Sequence, residues 1–579
     1  MVAVRLELCP ELEQIRSSAE EDGLRRRLTA QLEALLDELG VPGKAAVELA
    51  TVQTSRPVRV AVNGRVRPYP PELLLRTWLA VAPAGRRNVY ELSPPPMRPP
   101  LNAGWILAAC ADRSAQSSSG TDWKLLATYL ERFAMQVVLE RPSCLLDGTI
   151  PAFEDLPVSG EDLSRSLRWL LDLGVAIGNH GRLEALISEG AELRRPLDDT
   201  MEAAFTELRS HRIAIHVHPA TLAELLPHPI SDEAFSVHTL QGEGDRQLQD
   251  LFSRMEATFY STFGFILPDL VWVPNRAFAE RTVGVKIGKW SGLPIPMLPR
   301  GRRLVDAPPE ELDGFDATAA MHPLTGARCS LVRDDAKEAL EQAGRTTLGP
   351  LDFVLLNVLG EVSQRPRRLY GLEELEFQLT TLSTGDEISP LVDATLARYS
   401  LGDITRVRRA LIAERLGLRG LPLLLEALLA YSTVPIDDAG VVVLDDRLPV
   451  GSNGRPAPDG WPSYYAFVRT QLKPYIRHKY VSAGNSIVSY RLGATLENRL
   501  RRLPEDPFSD SELELLRDQV WKLQTQGGSS SAAVVVASTT TRPRIRSLLE
   551  PELPQLPVVA YAELGPDVRV EDAGTIIGP

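Results

Sequence analysis

The sequence predicts an α+β multidomain protein in which two related units, each a small sheet-and-helix domain plus a helical hairpin domain, are followed by a C-terminal α/β domain. Three observations predict it. The 579 residues exceed what one hydrophobic core usually supports. The 45 prolines and 41 glycines supply many joints. Stretches of the chain also recur, in the same order, in its two halves.

The first unit opens with an amphipathic helix, LRRRLTAQLEALLDELG (24–40), that ends on Gly40 and is followed by Pro42 and two alternating strands up to Gly64. The same features return in LQDLFSRMEATFYSTFG (248–264), with Gly264, Pro268 and strands up to Gly288. Next, EDLSRSLRWLLDLGVAIGNHGRLEALIS (161–188) corresponds to GDITRVRRALIAERLGLRGLPLLLEALLA (402–430), with Asp162 falling on Asp403. A polar start and apolar residues at helical spacing predict a helix, a turn and a second helix in each. PATLAELL (219–226) recurs as GATLENRL (493–500), each after a short apolar run, so each reads as a strand entering a helix.

These matches place copy one at 1–230 and the first and second subdomains of copy two at 231–400. Its helical third subdomain, with the strand and helix that follow, takes 401–500. The C-terminal α/β unit at 501–579 starts with the acidic helix SDSELELLRDQVWKLQTQ. It continues through AAVVVAS, RPRIRSLLEPEL, PVVAYAEL and VRVEDAGTI, read as strand, helix, strand and strand.

With 44% hydrophobic and 24% charged residues the chain has the composition of an ordinary globular protein. Its net charge of −13 argues against nucleic acid as the main partner, because phosphate neutralisation needs a concentrated basic surface. The short basic run RPRIR (542–546) reads as a solvated helix start. Cys9, Cys110, Cys144 and Cys329 form no CxxC pair, so they read as buried thiols. No signal peptide is evident, and no apolar run reaches the roughly 20 residues that span a bilayer. The expected location is the cytoplasm, peripheral to a membrane only through partners.

Five of the eight histidines fall between 211 and 238. His216 and His218 alternate on a strand, and Glu224 follows in a helix, the ingredients of a metal-dependent hydrolase. In the sister copy the two histidine positions are Tyr490 and Leu492. The fold therefore asks for bulk there, not metal. No phosphate loop, dinucleotide fingerprint, nucleophile elbow or HExxH is present, so neither cofactor nor catalytic residue is assigned.

A further series of stretches runs through copy two: FGFILPDLVWVPN (263–275), HPLTGARCSLV (322–332), GRTTLGPLDFVLLNVLGEV (344–362) and SLGDITRVRRALIAERLGLRGLPLLLEALLAYS (400–432). It goes on in FVRTQLKPYIRHKY (467–480) and TTRPRIRSLLEPELPQLPVVAYAEL (540–564). In order and spacing, over about 330 residues, this series resembles the cytoplasmic domain of the FHIPEP family, the export-gate component of flagellar and type III secretion systems. The threonine before the glycine in the second stretch looks more like the virulence-type branch, and copy one looks like a degenerate version of the same domain.

The resemblance implies a non-enzymatic scaffold that assembles into a ring and receives protein partners such as chaperone–substrate complexes. Carried over by position, His322, Pro323, Thr325 and Gly326 would belong to the partner-binding surface; P-x-T-G is equally good turn chemistry on its own. The family also carries a membrane domain that is not read here, and the tandem copy is a second departure. An adaptor in a regulatory or defence-type system that reuses the fold is therefore the alternative, ahead of the hydrolase.

Overall fold

The computed structural model describes residues 1–579 except 18–19, 55, 71, 83–105, 108, 111–121, 147–152, 154–155, 157, 227–232, 237–245, 322–327, 385–387, 433–440, 443–447, 450–460, 504–505, 527–532, 540 and 579. The described chain forms two compact units, 1–259 with 267–369, and 260–266 with 370–579.

In the first unit, strand Val2–Leu8 lies parallel to Ala45–Thr51 and antiparallel to Val58–Val62, with Arg65–Arg67 at the edge. Helix Glu21–Leu39 makes the crossover between the parallel pair, as parallel strands require. It buries Leu24, Leu28, Leu32, Leu35, Leu36 and Leu39, a stripe at helical spacing. That stripe joins the inner strand residues, helix Trp123–Glu140 and the hairpin helices Gly160–Asp172 and His180–Glu192 in one continuous apolar core.

A second sheet repeats the plan. Strand Arg212–Val217 lies parallel to Asp269–Pro274 and antiparallel to Thr282–Ile287. Helix Arg246–Phe263 precedes the parallel partner, as Glu21–Leu39 does in the first sheet. Ile213, Ile215 and Val217 are fully buried at the centre of this sheet. The strand that the sequence reading attaches to the end of copy one thus occupies, among the strands of copy two, the place that Val2–Leu8 holds in the first sheet. A third sheet, Thr318–Met321, Arg328–Arg333, Arg302–Val305 and Thr347–Leu348, builds its own small cores around Val305 and Leu304.

The second unit holds the copy-two hairpin, Leu401–Ala413 and Leu421–Ser432. Its first helix matches that of copy one down to the cap. Ser159 Oγ accepts from the Asp162 N–H at 3.1 Å, and Ser400 Oγ accepts from the Asp403 N–H at 3.0 Å. The C-terminal sheet is parallel: Ser486–Leu492 lies between Ala533–Val536 and Arg569–Ile576, with Val558–Ala560 outside. PVVAYAEL differs from its expected strand, since pairing stops at Ala560 and Tyr561–Leu564 turns helical. The Glu563 carboxylate accepts from the Ala560 N–H at 3.0 Å, which closes the strand with a helix cap. The α+β class predicted from the sequence is borne out. Residues 114–120, 451–460 and 527–531 lie outside the described residues.

In both copies the sheet-domain helix ends on a left-handed glycine pressed against the hairpin turn. At Gly40 (φ +72) an added Cβ would meet Gly178 Cα at 2.0 Å; at Gly264 (φ +72) it would meet Leu418 O at 2.2 Å. Ile177 N–H donates to Leu39 O at 2.8 Å in the first copy. In the second, the buried Arg408 guanidinium donates to Gly264 O at 3.0 Å and to Leu418 O at 2.7 Å.

Both the backbone conformation and the contact exclude a side chain there. Gly264→Ala is expected to cost about 3 kcal/mol or more in a urea titration of the full chain. A loss within about 0.5 kcal/mol, the range of an ordinary surface change, would show that the turn yields.

Candidate functional site

His322, Pro323, Thr325 and Gly326 lie outside the described residues. Residues 322–327 join strands Thr318–Met321 and Arg328–Arg333, whose last antiparallel pair is Met321 with Arg328.

The hydrolase ingredients are described, and each is otherwise engaged. His218 Nδ1 accepts from the Ala220 N–H at 3.2 Å and caps helix Pro219–Leu225. His216 faces Phe278, ring centroids 6.4 Å apart, and loss of water followed by the Lys286 charge lowers its pKa. Glu224 accepts a hydrogen bond from Arg281 and has Arg300 at 3.6 Å, so its carboxyl is held below the usual range, chiefly by the Arg281 bond. Among the described residues no group of three or more His, Cys, Asp or Glu is placed to hold a metal. All four thiols are buried, and burial pushes Cys9 up to about 11 and Cys329 up to about 12.

A charged concavity lies in the second unit. Glu414, the residue that closes helix Leu401–Ala413, accepts from Arg469 Nη1 at 2.9 Å and from Arg542 Nη1 at 2.7 Å. Arg469 Nε and Nη2 fork onto Glu563 at 2.7 and 2.9 Å. Burial alone would raise the Glu414 pKa, but Arg469 and then Arg542 outweigh it and hold the carboxyl at about 2. RPRIR is thus no solvated helix start: Arg542 is 1% and Arg546 6% exposed. Arg542 completes the carboxylate cluster, and Arg546 Nη1 donates to Leu556 O at 2.7 Å. The run looked solvated because its partners Glu414, Pro554 and Leu556 are distant in sequence or apolar.

Beside this cluster opens a cleft of ≈ 370 Å³ whose charged lining is Glu414, Arg415, Arg469, Lys479 and Arg546. Arg415 follows the helix in a left-handed conformation (φ 58), and Lys479 Nζ donates to its carbonyl. Loss of water, and then the Arg415 charge, lowers Lys479 to about 8. Sequence reasoning missed the cleft. Its one legible signal was Arg415 itself, a bulky cation at a helix end where the aligned position in copy one is Gly174.

Comparison with known proteins agrees with the resemblance read from the motifs. The FHIPEP family profile matches residues 230–448. The stretches at 467–480 and 540–564 lie beyond that span, as does nearly all of copy one. The flagellar biosynthesis protein FlhA of Borreliella burgdorferi is 20% identical over 196 residues, 33% of this chain and 27% of the relative. The chain therefore spans about a quarter of the length of that curated relative. Among solved structures, Chlamydia pneumoniae CdsV aligns at 17% identity with a TM-score of 0.47, covering 63% of this chain and 97% of CdsV. Shigella flexneri MxiA aligns at 14% with a TM-score of 0.43, covering 63% and 98%. No helix among the described residues is long and apolar enough to cross a membrane.

The buried carboxylate sets a pH dependence. Since the folded pKa of Glu414 is depressed to about 2, its stabilisation is complete above the ordinary value of 4.5 and is lost as pH falls from there toward about 2. Glu414→Gln should cost about 3 kcal/mol at neutral pH, because two buried guanidiniums lose a shared carboxylate. It should also flatten the fall in unfolding free energy between about pH 5 and pH 2, with Glu140 and Glu512, likewise held at about 2, among the carboxyls that supply the slope that remains. An unchanged slope in denaturant titrations would assign the acid sensitivity elsewhere.

Proposed function

We propose that the chain is a non-catalytic protein-binding scaffold of the export-gate type, which takes up secretion-apparatus components and chaperone–substrate complexes and associates with copies of itself. The observation that carries this reading is the FHIPEP match over 230–448, which runs from the second sheet through the third sheet to the copy-two hairpin. In this reading the scaffold works in the cytoplasm and reaches the membrane through its partners. His322, Pro323, Thr325 and Gly326 are proposed as part of the surface that meets them.

Two measurements test the proposal. Native mass in solution, followed over concentration at two salt strengths, should rise above that of one chain; a single-chain mass throughout would remove self-association. Affinity capture from the native host should recover secretion components, chaperones or their substrates, and Thr325→Arg should reduce that recovery by roughly tenfold, the effect of losing one well-packed contact. Recovery of none of these classes from the unaltered chain would overturn the scaffold reading.

A further inference from the structure

The two hairpins end differently, and the difference assigns a ligand class to the cleft. In copy one, the end of helix Gly160–Asp172 is covered by the turn that follows strand Thr282–Ile287. Lys289 N–H donates to Gly174 O at 3.0 Å, and an added Cβ on Gly288 would lie 2.7 Å from that same oxygen. The amines of Lys286 and Lys289 stand 3.3 and 3.5 Å from Glu38, near the end of helix Glu21–Leu39. Copy one thus offers a seat made of a glycine carbonyl and a carboxylate, and a basic turn fills it.

The corresponding place in copy two is the cleft. Gly174 becomes Arg415 when Asp162 is set on Asp403, and Glu38 becomes Thr262 when Gly64 is set on Gly288. The carbonyl that received the turn in copy one is capped here by Lys479 Nζ. Four cationic side chains face one carboxylate, Glu414, that is already shared by two arginines. The polarity of the seat is inverted.

We infer that this cleft seats an acidic turn of a partner protein, with Arg415 and Lys479 as the cations that select it. The inference rests on the scaffold reading and names the chemistry of one of its contacts. A second copy of this chain is a poor occupant. Its equivalent turn, Asn63–Gly64–Arg65, presents an exposed arginine to the same cations. Like charges brought together in a concave site repel, whereas carboxylates would meet charge-assisted donors. The volume of ≈ 370 Å³ falls at the small end of ligand sites and suits the tip of a turn.

The test is a binding titration of the full-length protein with a hexaglutamate peptide, with hexaglutamine as control, on the unaltered chain and on Arg415→Gly and Lys479→Gln. Arg415→Gly restores the residue that copy one carries at a left-handed position, so folding is retained. Lys479→Gln removes the charge and keeps a side chain that can donate to the Arg415 carbonyl, as the amine does. The expected result is that hexaglutamate binds at least roughly tenfold tighter than hexaglutamine, and that each variant loses roughly tenfold for hexaglutamate alone. No hexaglutamate binding, equal binding of both peptides, or equal affinity in all three proteins would overturn the seat. Neither substitution touches residues 322–326. Capture of secretion components by the unaltered chain therefore tests the scaffold reading separately, and that reading survives a failed titration.

Discussion

The contact that fixes the rest is the approach of two backbones where the sheet-domain helix meets the hairpin turn. Gly40 against Gly178 and Gly264 against Leu418 leave no room for a methyl group, so the helix end and the turn hold one geometry in each copy. Because the chain reverses at Gly40, the direction of strand Ala45–Thr51 is set there, and with it the parallel pairing across the first sheet. Packing without an intervening side chain is rigid because backbone has no rotamers to exchange. Copy two adds the Arg408 guanidinium, which gathers the carbonyls of Gly264 and Leu418 and leaves the turn little freedom to open.

The carboxylate cluster of the second unit serves a different purpose. Taking two glutamates and two arginines out of water returns little net stability, and well-packed apolar side chains would do as well. What the cluster supplies is exclusivity of arrangement, since Glu414 belongs to the helical hairpin while Arg542 and Glu563 belong to the C-terminal sheet domain. Any slippage between those elements strands a charge in a low dielectric. The forked Arg469–Glu563 pair, 1% exposed on both sides, fixes the angle as well as the distance.

Much of this was legible in the sequence, and the reasons differ by element. The hairpins were legible because Ser159 and Ser400 begin helices with regular apolar spacing, so capping and periodicity speak together. Gly40 and Gly264 were legible as helix ends because a glycine followed by proline is a local signal, although the close approach that requires them is not local. The pairing of Arg212–Val217 was hidden, since alternation marks a strand without naming its neighbours. The interior place of Arg542 and Arg546 was hidden for a related reason: a charged residue announces solvent unless its distant partner is known. The cleft was visible only as a discord between aligned copies, a cation standing where its counterpart is glycine.

The cluster around Glu414 also bears on how the chain folds while it is being made. Arg469, Arg542 and Glu563 all follow Glu414 along the chain, so a ribosome that has released the hairpin has not yet released the groups that neutralise and enclose its end. The parallel sheet imposes a longer wait, because its central strand Ser486–Leu492 pairs with Arg569–Ile576, and long-range parallel pairing is slow. The first unit, complete by residue 369, can settle earlier. The second must remain partly open until synthesis is nearly finished, with a carboxylate and an apolar helix face exposed together. That interval, more than the finished fold, is where a holding chaperone would find this protein.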